Sequence, residues 1–252
     1  MPPPYIRIPY EMIGEHIGII KKLALNLELY FSGDALDSLG PESIGELKDA
    51  LGHNPSLTLH APFMDLSPGA VDSKVRAVTM ERFSQVFDVA EALRPEAMVF
   101  HSGYERWKYA HNADVWLEAS MRTWEGFIQR ASEMGTRIAI ENIFEDEPDN
   151  LALLMRQLGS GHFGICFDTG HFNLFSRKPL SAWLEVLGPH IIELHLHDND
   201  GSRDSHLPMG EGTFNFSELF GALRGRELLY TIECNTPEDV IKSMERLKEY
   251  AS

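Results

Sequence analysis

Apolar runs of β type alternate with amphipathic helical stretches along nearly the whole chain, and so strict an alternation leaves few folds open. The strand-like segments are IRIPYEM at 6–12, NLELYF at 26–31, SLTLHAPF at 56–63, AMVFHSG at 97–103, RIAIENIF at 137–144, FGICFDTG at 163–170, HIIELHLHDN at 190–199 and ELLYTIECN at 227–235. Between and after them, helical spacing covers 14–24, 41–51, 72–93, 113–134, 148–159, 179–188, 214–224 and 236–250. Gly135 and Gly159 stand where two of these helices must stop, and Thr236 followed by Pro237 marks the start of the last. The strands are apolar on both faces, as expected of a parallel sheet covered on both sides. Eight such units of about thirty residues each fit a (β/α)8 barrel. An open doubly wound sheet is the rival, but it gathers its ligands at one crevice near a topological switch. Here the chemistry-bearing residues come from the third to the eighth strand, which favours closure. The expectation is therefore an α/β single domain spanning 1–252.

Those residues share one feature. LTLHAPF carries His60, MVFHSG carries His101, IAIENIF carries Glu141, and GICFDTGH carries Asp168 and His171. IELHLHDND carries His195 and His197, the loop beyond it Asp204 and His206, and YTIECN carries Glu233. Strand ends place these groups on one rim. Converging carboxylates and imidazoles repel or desolvate one another unless a cation binds them. The pattern thus predicts a metalloenzyme.

Charge narrows the partners. The chain has 38 acidic and 22 basic residues, a formal net charge of −16. No cluster of Lys and Arg offers the several phosphate contacts that non-specific nucleic-acid binding requires, so long nucleic acid is not the expected partner. No apolar run is long enough to span a bilayer, and the opening MPPPYIRIPYEM lacks the features of a signal peptide. Two cysteines, Cys166 and Cys234, do not make a disulfide framework. They read as buried thiols, and the cytoplasm is the expected compartment.

The ordered set HAPF, HSG, IEN, DTGH, HLHDND, DSHLPMGEG and IECN resembles the xylose-isomerase-like TIM-barrel superfamily. That group holds sugar and sugar-phosphate isomerases, ketose 3-epimerases, inosose dehydratases and the endonuclease IV type of abasic-site nuclease. The matching segments run from His60 to Glu233, and the barrel pattern extends the match to nearly all of the chain. The resemblance implies two nested metal sets. The isomerase set, one divalent ion, falls on Glu141, Asp168, His195 and Glu233. The nuclease set adds His60, His101, His171, Asp204 and His206 and implies up to three zinc ions. The cofactor expected is Mn or Zn, with one ion favoured. At strand 7, reading HLHD as the family's His-x-x-Asp element selects His195; the HLH run of some 3-epimerases selects His197 instead. Side chains two apart share a strand face, so both can look inward. His195 is preferred, with His197 then at the substrate or behind a ligand.

The favoured activity is isomerisation or epimerisation of a small carbohydrate or sugar phosphate, with Glu141 and Glu233 moving the proton. The alternative is multinuclear zinc hydrolysis of phosphate esters. Arg203, the one positive charge in the strand-7 loop, is a candidate contact for a substrate hydroxyl or phosphate. Glu28 is a candidate acceptor behind a ligand histidine. Glu147 has the spacing of a substrate-binding Glu in ketose 3-epimerases. Tyr104 and Trp107 are candidate pocket walls, while Trp116 and Trp124 read as core. His16, His53, His111, His162 and His190 read as surface or structural. A homodimer is compatible with such a barrel.

Overall fold

Eight parallel strands close into a barrel in strict chain order, β1 pairing back onto β8 through Tyr5↔Thr231 and Ile6↔Ile232. The structure is a computed structural model and describes residues 3–109 and 112–250; His111 lies outside them. The strands are β1 Tyr5–Pro9, β2 Asn26–Tyr30, β3 Leu57–His60, β4 Ala97–His101, β5 Arg137–Glu141, β6 Phe163–Asp168, β7 Ile191–Leu196 and β8 Leu229–Ile232. The helices are α1 Ile13–Leu23, α2 Gly33–Ser38, α3 Pro41–Leu51, α4 Ser73–Leu93, α5 Ala113–Met134, α6 Asp149–Leu158, α7 Thr169–Phe175, α8 Leu180–Leu187, α9 Phe216–Ala222 and α10 Pro237–Tyr250. Two more than the alternation predicts arise because β2 and β6 are each followed by a short helix before the long one. Both have their own cap: Ser32 accepts from Ala35 N, and Asp168 accepts from His171 N. No helix among the described residues is long and apolar enough to cross a membrane.

Strand alternation sends one set of side chains to the helices and the other into the barrel. On β4, Phe100 faces outward, against Phe83, Phe87 and Trp124 with ring centroids 4.6, 6.2 and 5.4 Å away. Trp124 and Trp116 are both fully buried, as the helical spacing implies. Truncating a packed aromatic of this kind costs about 3–5 kcal/mol. That packing fixes β4, and so fixes His101, the inward residue next to Phe100. Inside the barrel, Tyr5, Ala97 and Leu229 form one small apolar layer, and Val99, Ala139 and Cys166 another.

One irregularity sets the site. Between β6 and β7 the register slips, with Ile165 opposite Ile191 but Cys166 opposite Glu193. The extra residue, Ile192, packs on the inner layer of Val99, Ala139 and Cys166. The glycine opposite makes room: a Cβ on Gly164 would lie 2.8 Å from Ile192. Such a bulge resets which residues face inward, and beyond it Glu193 and His195 both do.

Candidate metal centre

The inward groups at the carboxyl ends of the strands meet around one atom. His195 Nδ1 is buried and makes no hydrogen bond. Three carboxylates from three strand ends approach it: Glu233 Oε1 at 3.0 Å, Glu141 Oε2 at 3.6 Å and Asp168 Oδ2 at 3.7 Å. The opposite ring nitrogen lies 3.2 Å from Glu28 Oε1 and 3.3 Å from Oε2. A metal-binding imidazole is held in this way, with a carboxylate fixing its tautomer from behind. An unsatisfied buried nitrogen facing three carboxylate oxygens fits a divalent cation, and a mixed imidazole and carboxylate set suits Zn or Mn.

Two further groups share these carboxylates. His60 Nε2 and His101 Nε2 stand 3.0 and 3.1 Å from Glu141 Oε2. The rings are propped from outside the cluster. His60 Nδ1 reaches its neighbour's carbonyl, Ala61 O, and His101 lies parallel to Phe63 with centroids 4.4 Å apart. On the other side, His171 Nδ1 is 2.9 Å from Glu141 Oε1, and Asp204 Oδ2 receives His206 Nε2 at 3.1 Å and His171 Nε2 at 3.5 Å. His197 Nε2 lies 3.0 Å from both Asp168 oxygens, and its ring stacks on His206 at 4.0 Å. All nine candidate ligands are therefore brought together. At strand 7, His195 reaches the three-carboxylate centre and His197 reaches Asp168 from the far side. Asp168 both caps α7, accepting His171 N at 2.6 Å, and faces the cluster.

The electrostatics follow from the crowding. Burial alone would raise the Glu141 carboxyl, but His101 and His195, with hydrogen bonds from His101 and His171, hold it well below the usual range. Glu233 is likewise held down against its burial by Arg7 and His195. Burial pushes His101 down. His171 is raised well above the ordinary imidazole range, its burial outweighed by Asp168, Asp204 and Glu141.

Several flanking groups sit elsewhere than the sequence suggests. Arg203 is exposed, and no ion pair joins it to the cluster among the described residues. Glu147 stands at the surface, 3.9 Å from Lys178. Tyr104 is core, not pocket wall: its ring stacks on Tyr109 and meets the edge of Trp116, which leaves it no free face. Trp107 is 79% exposed. His53 and His162 are structural: His53 bonds the carbonyls of Leu51 and Leu25, and His162 that of Thr136.

Four residues that sequence reasoning gave no role of their own stand at or behind the site. Arg7 on β1 has its Nε 3.4 Å from Glu233 Oε1. Glu193, fully buried, accepts from Thr231 at 2.8 Å, and burial with the neighbouring Glu28 pushes its carboxyl up to about 8. Phe63 props His101. Asp198 accepts four backbone N–H groups, from Asn199, Gly210, Gly212 and Phe214, and so shapes the loop that carries Asp204 and His206. The sequence carried a signal for three of them. Asp198 closes the HLHD element, Arg7 is the lone charge within IRIP, and Glu193 stands two residues before His195.

A family model described as "Xylose isomerase-like TIM barrel" matches residues 26–250. The uncharacterized protein MJ1311 of Methanocaldococcus jannaschii is 32% identical over 224 residues, which is 84% of this chain and 76% of that protein. Among solved structures, the TTHB071 protein from Thermus thermophilus, soaked with ZnCl2, superimposes with a TM-score of 0.82 at 27% identity, covering 98% of this chain and 97% of that one. A D-tagatose 3-epimerase-like protein gives a TM-score of 0.77 at 28% identity over 98% and 96% of the two chains. A family match over most of the chain, a closed eight-stranded barrel and a buried His, Asp and Glu cluster at its rim agree: the chain belongs to the xylose isomerase-like TIM-barrel family.

Proposed function

We propose that this protein is a metal-dependent isomerase or epimerase of a small carbohydrate or sugar phosphate. One observation carries the reading. Glu141 and Glu233 reach the same buried nitrogen, His195 Nδ1, from β5 and from the end of β8. Two carboxylates so placed can flank a substrate carbon, one taking the proton next to the carbonyl and the other returning it to the neighbouring carbon or the opposite face. Both are held ionised at neutral pH, so either is available as the base. Glu141, Asp168, His195 and Glu233 would hold one Mn or Zn ion, which supplies Lewis acidity toward the substrate oxygens when bound. Glu28 keeps His195 in the tautomer that leaves Nδ1 free. The similarity to a D-tagatose 3-epimerase-like protein supports the same class. Both cysteines are free, which fits a reducing compartment, and the cytoplasm is the proposed location.

The test is proton exchange. Metal-loaded protein incubated with candidate ketoses in deuterated water should place deuterium at a carbon adjacent to the carbonyl. Glu141→Gln and Glu233→Gln should each nearly abolish that exchange while leaving the barrel folded. Unimpaired exchange in both variants would end the two-carboxylate reading.

A second reading rests on the remaining five residues. His60 and His101 share Glu141, while His171 and His206 share Asp204. Three linked groups of donors would suit a multinuclear zinc hydrolase of phosphate esters. Two or three zinc equivalents on elemental analysis, lost on His60→Ala or His101→Ala, would favour it, whereas a count near one favours the isomerase. A charge of −16 opposes a duplex substrate. Tight binding and incision of a duplex with one abasic site at about 0.15 M salt would reverse that judgement.

A further inference from the structure

Arg7 is built differently from Arg82 and Arg130. Arg82 spends its fork on Asp37 through both terminal nitrogens, and Arg130 spends one terminal nitrogen on Asp88 and Glu91. Arg7 instead meets Glu233 with Nε at 3.4 Å, and that nitrogen is buried without a formed hydrogen bond. Its guanidinium carbon lies 5.0 Å over the ring of Tyr30, which holds the plane from one side. The two terminal nitrogens make no protein hydrogen bond among the described residues, and the side chain keeps 25% exposure. Nε is shut from solvent, so the accessible surface belongs to the rest of the side chain. Arg7 shares its strand face with Tyr5, which closes the barrel below it together with Ala97 and Leu229. A guanidinium has five N–H donors in a planar fork matched to carboxylate and phosphate. Here that fork is held over Tyr30, charged and with its terminal nitrogens free of protein hydrogen bonds, beside one of the two proposed proton-transferring carboxylates.

We propose that Arg7 is a specificity-determining residue that receives an oxyanion of the substrate, so that the natural substrate is an anionic sugar derivative and not a neutral sugar. The proposal rests on the isomerase reading and names the substrate class for that site. Nε lies 3.4 Å from Glu233 Oε1, which places the anionic group close to the reacting carbon and not at the far end of a long chain. Carboxylate and phosphate share the chemistry the fork recognises.

Three ketones with the same hydroxymethyl–carbonyl unit separate the sources: dihydroxyacetone is neutral, hydroxypyruvate carries a carboxylate, and dihydroxyacetone phosphate carries a phosphate. Their binding is measured by titration calorimetry to manganese-loaded wild-type protein, Arg7→Met and Arg7→Lys, with metal content determined for each. The expected result is at least about tenfold tighter binding of one anion than of dihydroxyacetone to the wild type, the size of effect a charge-assisted fork provides. Which anion wins identifies the source. Arg7→Met should erase the preference without changing metal content, and Arg7→Lys should restore part of it. The proposal is overturned if neither anion is preferred, if the preference survives Arg7→Met, or if Arg7→Met loses metal, which would make the arginine a support for Glu233. These outcomes are read without turnover. Failure of the isomerase reading shows separately, as absence of deuterium exchange with Arg7 intact.

Discussion

Replacing Gly170 by alanine adds one methyl group where the structure has no room for it. The new Cβ would lie 2.1 Å from Cε1 of His197, 2.4 Å from its Nδ1 and 2.8 Å from its Nε2. The ring cannot simply swing away. Its Nε2 is held by both oxygens of Asp168, its face by His206, and its backbone carbonyl by Thr169 Oγ1 at 2.7 Å. Overpacking of this kind costs about 1–3 kcal/mol, and losing a buried hydrogen bond to a charged group about 1.5–3 kcal/mol more. Alanine recovers up to about 1 kcal/mol of helix propensity in α7. The net loss is about 2–5 kcal/mol, which lowers Tm by roughly 4–20 °C for a domain of this size. Metal affinity should fall about 10–100-fold, the usual effect of disturbing groups behind ligands. Gly126→Ala is the matched control. It makes the same chemical change inside α5, where a Cβ would meet nothing within 4 Å, and should stabilise by about 1 kcal/mol. Differential scanning calorimetry and elemental analysis of both variants read the result. A Gly170→Ala protein that melts with the wild type and keeps its metal would refute the placement of His197 against Asp168.

Two other consequences follow from buried acids. Asp198→Asn turns one carboxylate oxygen into a donor facing two N–H groups, those of Asn199 and Phe214 or those of Gly210 and Gly212. Losing two charge-assisted bonds costs about 3 kcal/mol or more, and hydrogen exchange should show the 199–214 loop opening; unchanged protection at Gly210 and Gly212 would count against the clamp. The second concerns pH. Burial, followed by Glu28, raises Glu193 from 4.5 to about 8. The folded state therefore binds this proton more tightly than the unfolded state. Its stabilising contribution is complete below about pH 4.5 and is lost as pH rises toward 8. Metal-free Glu193→Gln should show a flatter stability profile across that window, by a few kcal/mol, and the same change of urea-unfolding free energy with pH in the two proteins would contradict the raised carboxyl.

The barrel was legible because periodicity and punctuation are local properties. Helices α3 and α5 fall on the residues their spacing and end signals mark, Pro41–Leu51 and Ala113–Met134. Strand ends rich in His, Asp and Glu announced a shared rim, since a closed parallel sheet leaves them nowhere else to go. Less visible were the short helices α2 and α7, whose six and seven residues make fewer than two turns, too few for helical spacing to repeat. The fate of Tyr104 was also hidden, because it depends on Tyr109 and Trp116 arriving beside it.

The sequence by itself determined the fold class, the rim and the identity of the ligand-type residues, since each follows from repeat length and residue chemistry. Only the tertiary structure decided how the two histidines of HLH divide their work. Counting along β7 gives both the same face, but a one-residue bulge at Ile192 and the glycine opposite it set which face that is. Glu28, from a strand 167 residues away, then takes Nε2 of His195 and leaves Nδ1 toward the three carboxylates. The same closure brings Arg7 from β1 onto Glu233 after β8. Contacts between the first and last strands of a barrel are written in no local pattern; they exist only because the sheet closes.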